Sequence, residues 1–412
     1  MKRAYRPFSA ILVLATVGSL LTGCAQVHSG SAQRADSYDA NAVNPALLGT
    51  GNYPTKPRAP IGTSGSVNVG RLVEAHRVAE NTLLPFQADP ALNHADLPWV
   101  IATNSALADY LGNDAIASAV DGHNLIAGFQ ARAKDSGDNT QTTKELSNTV
   151  AIFGSATDAA AATAAIAAAN PPVDGYPKSP YPTTAITIPR HPERRAWAYQ
   201  VRRTDTSSWQ IVEAFTARGP YLLAQQAKAQ SPAAAAELIA ATLDQQVPLI
   251  DGFTPTPPDQ LTNIPLDPSG LEARILLPAN RDRTVENGVY GPHGALAFFS
   301  RPDEMQRRFT EAGVDLYGHE QASVLRARDA TAAGELLNFT AMNYQRAGYE
   351  VTAVVNGLPG ARCLRQREAY PGASRTIHCL AQADRYVIDV YAPQEANAKQ
   401  MVAAQYLLLT AP

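Results

Sequence analysis

The chain has 412 residues, of which 45% are hydrophobic and 17% charged. That is room for two globular domains with cores of their own, and it excludes fully disordered, collagenous and multi-span membrane classes. With 34 basic against 37 acidic residues the net charge is −3, so there is no global positive field to attract nucleic acid.

The first predicted element is an address. Lys2, Arg3 and Arg6 precede an apolar run over residues 8–21. The run is short for a membrane span of ~20 residues. It ends in Leu21-Thr22-Gly23-Cys24, which resembles the lipobox of bacterial lipoproteins. The resemblance implies a signal peptide over 1–23 and a diacylglyceryl group on Cys24. Two or three acyl chains anchor durably, whereas one is reversible. The expected location is the extracytoplasmic face of the cell membrane. Residues 24–66 carry repeated Gly and Pro and no sustained apolar period, which predicts a flexible tether.

Two α+β domains are expected next. In the first, 67–253, a strand at 98–102 leads into a helix at 105–111. A strand at 149–153 precedes an Ala-rich helix capped by Ser155 to Asp158 and stopped by Asn170-Pro171-Pro172. Strands follow at 184–188, 196–203, 210–217 and 221–225, then a helix with Ser231 as its cap and Pro232 in its first turn. Residues 254–268 read as a Pro-rich linker. The second domain, 269–412, runs through the same order. A strand at 295–299 and a helix to Phe309 come first, then a strand at 323–327 and a helix capped by Asp329. Strands at 350–355, 361–368, 376–381 and 386–391 precede a closing helix from Glu395. The repeated order predicts a duplication, each copy an antiparallel sheet with helices packed on one face. Cys363 and Cys379 flank Pro371-Gly372, a turn signal midway between them. A hairpin there would set the two cysteines opposite one another, and the disulfide would contribute about 3 kcal/mol.

The lipobox, the Gly/Pro tether and two α+β halves, the second bearing a cross-hairpin cysteine pair, resemble the uncharacterised two-domain lipoproteins of actinobacterial cell envelopes. That family has no assigned activity. The resemblance therefore implies a place and a fold, and supplies no catalytic residues.

Chemistry is sparse. Gly62-Thr63-Ser64-Gly65-Ser66 fails the nucleophile-elbow pattern at its last place, and neither a His-Glu-x-x-His zinc motif nor a phosphate-binding glycine loop occurs. No catalytic residue, cofactor or metal site is expected. His123 and His319 each follow a glycine at matching places in the two copies; they read as turn histidines or, if functional, as a paired ligand. Arg190, His191, Arg194, Arg195, Arg202 and Arg203 form a basic cluster, either a solvated sheet face or an anion site carried by Arg195 and Arg202. Trp197, Tyr199, Trp209 and Phe215 read as core more readily than as pocket. His293 sits in a turn-rich segment. The expected function is non-enzymatic binding of a ligand or envelope partner in the cleft between domains. The partners would be the membrane through the lipid, and an envelope lipid, glycan or protein. The alternatives are a wall or lipid hydrolase without a recognisable motif, and a structural or assembly protein.

Overall fold

In a computed structural model the chain is described over residues 42–169, 173–174, 179–202, 208–352, 354–367 and 375–412. The expected signal and Cys24 lie outside the described residues, as do the stop at 170–172 and the Pro371-Gly372 turn.

The first half opens with helix α1 (Val67–Ala79) and strand β1 (Trp99–Ile101), then α2 (Asn104–Leu111), β2 (Leu125–Lys134) and β3 (Glu145–Phe153). Helix α3 (Ala156–Ala169) precedes β4 (Thr184–Ala185), β5 (Arg195–Arg202), β6 (Ser208–Arg218), β7 (Tyr221–Ala229) and the closing helix α4 (Pro232–Asp251). The second half holds β8 (Gly288–Tyr290), the short α5 (Pro292–Ala295), α6 (Pro302–Ala312), β9 (Leu316–His319) and β10 (Ala322–Arg326). Helix α7 (Ala330–Arg346), β11 (Tyr349–Val351), β12 (Arg362–Gln366), β13 (Ile377–Ala383), β14 (Tyr386–Ala392) and α8 (Glu395–Thr410) complete it.

Both sheets are antiparallel and share one strand order. In the first it is β2-β3-β7-β6-β5-β4, with β1 and a short strand at His94–Ala95 both paired to β2. In the second it is β8-β9-β10-β14-β13-β12-β11, each strand seven numbers beyond its counterpart. Two tandem α+β domains with antiparallel sheets are therefore the architecture. Caps legible in the sequence hold: the side chains of Thr103, Ser231 and Asp329 accept N–H bonds from Ala106, Ala234 and Ala332.

Three expectations are corrected. The helices were expected on one face, and they cover both. In the first sheet Phe129, Val150 and Leu223 join a core with Ile239 of α4 and Val78 of α1. Ala151, Phe153 and Leu222 join another with Ile166 of α3 and Leu107 of α2. In the second sheet Leu364 and Leu380 cluster with Leu336 of α7, while Ile388 and Val390 cluster with Met401 of α8. A sheet covered twice needs strands apolar on both sides, and β3 is buried at every position.

The strand expected at 295–299 is instead the end of α5 followed by a 3-10 turn at Leu296–Phe298. Pro292 at the first helical position and a carboxylate accepting the next two N–H groups settle the local contest for helix. The strand lies upstream, at β8. This also breaks the His123–His319 correspondence: His123 lies in a turn before β2, whereas His319 ends β9.

The tether expected to run free to Ser66 does not extend over 42–66. This segment lies along the second half as a strap. Asn44 N–H bonds to the Gly357 carbonyl at 2.8 Å, Arg58 N–H to the Ala273 carbonyl at 3.0 Å, and the Tyr53 hydroxyl to Asn397 at 2.6 Å. Gly and Pro supply no apolar period, but such a chain still satisfies its backbone against a neighbour.

Cys363 and Cys379 stand directly opposite in the β12–β13 pairing and form a disulfide. One buried core cluster takes residues from both halves, including Ala75, Ile239, Leu296 and Leu336.

Candidate ligand cavity

Helix α1 is the element from which the site is built. The Ser66 hydroxyl caps it at Val69 N–H, 3.3 Å away. One face, Ala75, Val78 and Ala79, enters the shared core. Another face presents Val69, Leu72, Val73 and His76 to a cavity of about 1090 Å³. Phe253, just past α4, and the Pro-rich linker residues Ile264 and Leu266 close one side of it, and the strap adds Ile61. The second half supplies the segment Arg283–Gly291 and Leu316. The wall is predominantly apolar, and its volume exceeds the ~300–1,000 Å³ usual for small-molecule sites.

Close approaches hold these walls together. Gly70 lies against the Leu261 carbonyl, where a Cβ would overlap backbone. Ser64 N–H bonds to the Ile264 carbonyl at 2.9 Å, and its hydroxyl to the Leu261 carbonyl at 2.5 Å. The His76 Nε2–H donates to the Val285 carbonyl at 2.8 Å, and Gly288 lets that ring in, since a Cβ there would stand 2.5 Å from Nδ1. Glu80 accepts from the N–H groups of His293 at 3.2 Å and Gly294 at 2.6 Å, so it caps α5 across the two halves.

The polar edge of the cavity is an ion-pair cluster. Arg283 Nη2 lies 2.9 Å from Glu272 and 3.1 Å from Glu320. The Arg58 guanidinium, from the strap, donates to the Glu272 carbonyl. Glu320 is buried, which pushes its carboxyl up to about 7; Arg283 opposes that rise and Glu272 adds to it. Its Oε2 has no hydrogen-bond partner. Burial drives His76 down to about 4, with Arg283 and His319 adding to the fall, and burial alone takes His319 to about 4. His319 sits behind the wall, its Nδ1 3.0 Å from the Tyr317 hydroxyl and its ring 4.5 Å from that of Phe298.

These shifts predict a pH dependence with a definite sign. A histidine ordinarily near 6.5 and depressed in the fold binds its proton more readily when unfolded. Stability from that group is complete above pH 6.5 and is lost as pH falls toward 4. His319→Asn should remove this loss. The stability difference between variant and wild type should shift by about 2 kcal/mol in the variant's favour between pH 7 and pH 4, allowing for partial exposure. Urea unfolding at both pH values measures it, and a difference independent of pH would contradict the assignment. Glu320 acts oppositely: its raised value costs stability progressively as pH climbs from 4.5 to 7.

The remaining candidates are scattered. Arg195 and Arg202 stand at opposite ends of β5, on opposite faces by strand alternation and roughly 23 Å apart. Arg190 pairs with Glu237 at 2.6 Å and Asp244 at 2.8 Å, and His191 pairs with Asp244 at 2.9 Å. Two of the six cluster members are thus held by α4, and Arg203 lies outside the described residues. Phe215 is core, and Trp197 packs against the same cluster. His293 Nε2–H donates to the Thr82 carbonyl at 3.0 Å. The sequence reading missed α1, and with it His76, Glu80, Glu272, Arg283 and Glu320. The available signal was Ser66 ahead of a Val/Leu period broken by Gly70.

Among the described residues no serine, threonine or cysteine side chain hydrogen-bonds a histidine side chain. Asp389 of β14 bonds His378 Nδ1 of β13 at 2.9 Å and the Tyr344 hydroxyl of α7 at 2.6 Å, and no serine, threonine or cysteine among the described residues joins them. No three His, Cys, Asp or Glu side chains of the described residues are placed to hold a metal ion, and no described helix is long and apolar enough to cross a membrane.

Fold and cavity define a two-domain α+β protein with a large apolar site between its halves. The chain belongs to the DUF7373 family, a family of unknown function: its N-terminal domain matches residues 61–266 and its C-terminal domain residues 271–411. No curated protein matches the chain. Among solved structures, the crystal structure of the extracellular domain of PknH from Mycobacterium tuberculosis is similar at 14% identity, over 43% of this chain and 97% of that one, with a TM-score of 0.32. A likeness at that level carries no argument about function.

Proposed function

We propose that this is a lipid-anchored extracytoplasmic protein that binds an amphipathic molecule in the cavity beside α1, without chemical turnover. The observation that carries the reading is the predominantly apolar cavity of about 1090 Å³ between the halves, with the Glu272–Arg283 ion pair on its wall. Such a shape suits a ligand with an apolar body and a polar end. The Leu21–Cys24 segment supports an anchored location, and the Cys363–Cys379 disulfide suits an oxidising compartment.

The uncharged dye Nile red tests the site. The mature protein should bind it with a rise in fluorescence. Val73→Trp fills the cavity from α1 and should weaken binding at least about tenfold. Equal binding by both proteins, or none by the wild type, would count against the reading.

A further inference from the structure

We propose that the cavity selects an amphiphile whose head is uncharged and rich in hydroxyls, as in a neutral glycolipid, over one whose head is a phosphate. This rests on the reading above and names the class of ligand for the same site.

Four charged side chains line the cavity: Arg77, Glu80, Glu272 and Arg283. Each is already answered from within the protein. Arg77 Nη1 donates to buried Glu74 at 2.6 Å and to the Thr256 hydroxyl at 2.5 Å. Both oxygens of Glu80 hold N–H groups of α5. Arg283 is shared by Glu272 and Glu320, and Arg58 stands beside the same pair. The two nearest imidazoles, His76 and His319, are neutral at pH 7 because burial has lowered both.

The wall therefore offers no surplus positive charge. A phosphate could take Arg283 only by drawing it away from the Glu272 carboxylate and from buried Glu320, a loss larger than the new ion pair returns. A cationic head meets the same obstacle, because Glu80 already holds two N–H groups and Glu272 already holds Arg283. A hydroxyl is both donor and acceptor, so it joins such a network without displacing a charge. Asn81, Gln260, Asn263 and Thr284 line the same cavity with uncharged polar groups. This is selection by the cost of breaking existing pairs.

The test offers the mature protein vesicles containing equal amounts of a monogalactosyl diacylglycerol and a phosphatidylglycerol with identical acyl chains. The protein is re-isolated and its lipid identified by mass spectrometry. The galactolipid should be retained about tenfold or more over the phospholipid. Equal retention, or a preference for phosphatidylglycerol, overturns the inference while leaving the cavity reading intact. Retention of neither lipid overturns both. Glu272→Gln frees one side of Arg283 and should move the preference toward phosphatidylglycerol; an unchanged ratio in a folded variant also overturns the inference. Should that variant fail to fold, Glu320→Gln is read in the same way.

Discussion

Gln246→Leu should be among the most destabilising single substitutions in the chain. The Gln246 side chain is fully buried on α4 and serves three partners at once. Its Oε1 accepts from Leu83 N–H and from Asn148 Nδ2, both at 2.7 Å, and its Nε2 donates to the Asn81 carbonyl at 2.8 Å. Asn148 passes the network on: it donates to the Leu83 carbonyl and accepts from Gln225. Leucine has comparable bulk and no polar atom, so the change makes no large cavity. What it leaves is a set of buried donors and acceptors with fewer partners. Each orphan costs about 1–3 kcal/mol, and the combined loss should be about 4 kcal/mol. Urea unfolding measures it. A loss under about 1 kcal/mol would mean that the network is not holding α4 to the α1–β1 connection.

Gly70→Val should destabilise the fold and weaken ligand binding together. In an exposed helix, replacing a mid-helix glycine normally removes a cost of up to about 1 kcal/mol, although valine recovers only part of it. Here the sign reverses. The missing Cβ at Gly70 is what allows α1 to lie on the Leu261 carbonyl, and backbone cannot step aside as a side-chain tip can. The expected loss is about 3 kcal/mol, at the upper end for overpacking. Since α1 and the linker are two walls of the cavity, Nile red binding should fall as well. A variant of unchanged stability would show that the contact between helix and linker is dispensable.

The two halves differ little in how legible their elements were. Caps with a side-chain oxygen, Ser231 with Pro232 and Asp329 with its alanine-rich turn, announced their helices because the chemistry is local. The cysteine pair announced its hairpin by symmetry about a Pro-Gly step. Other features rest on long-range contacts. The strap over 42–66 reads as linker, because the hydrogen bonds that hold it go to residues about 200 to 344 positions away, such as Ser64 to Ile264 and Tyr53 to Asn397. The apolar run at 295–299 fits strand or buried helix equally, and Glu80, distant in sequence, settles it. Coverage of both sheet faces was obscured by strands with polar residues that are nonetheless buried, such as Asn148 and Thr149 in β3. The cavity was least legible of all. A cleft between halves could be expected from the architecture, but none of its charged residues forms a motif. Arg77 and Glu80 sit at the end of α1, far in sequence from Glu272 and Arg283, and Arg283 becomes notable only once Glu272 and Glu320 are seen on either side of it.

The most direct measurement is a map of where an apolar chain rests on the protein. A monoacylglycerol carrying a diazirine in its acyl chain, photolysed with the mature protein and followed by peptide mass spectrometry, reads this out. Adducts should concentrate on Val67–Ala79 and on the segments 254–269 and 283–291, and Val73→Trp should suppress them. Adducts spread evenly over the surface, or confined to α3 or α8, would contradict the assignment of the cavity as the binding site.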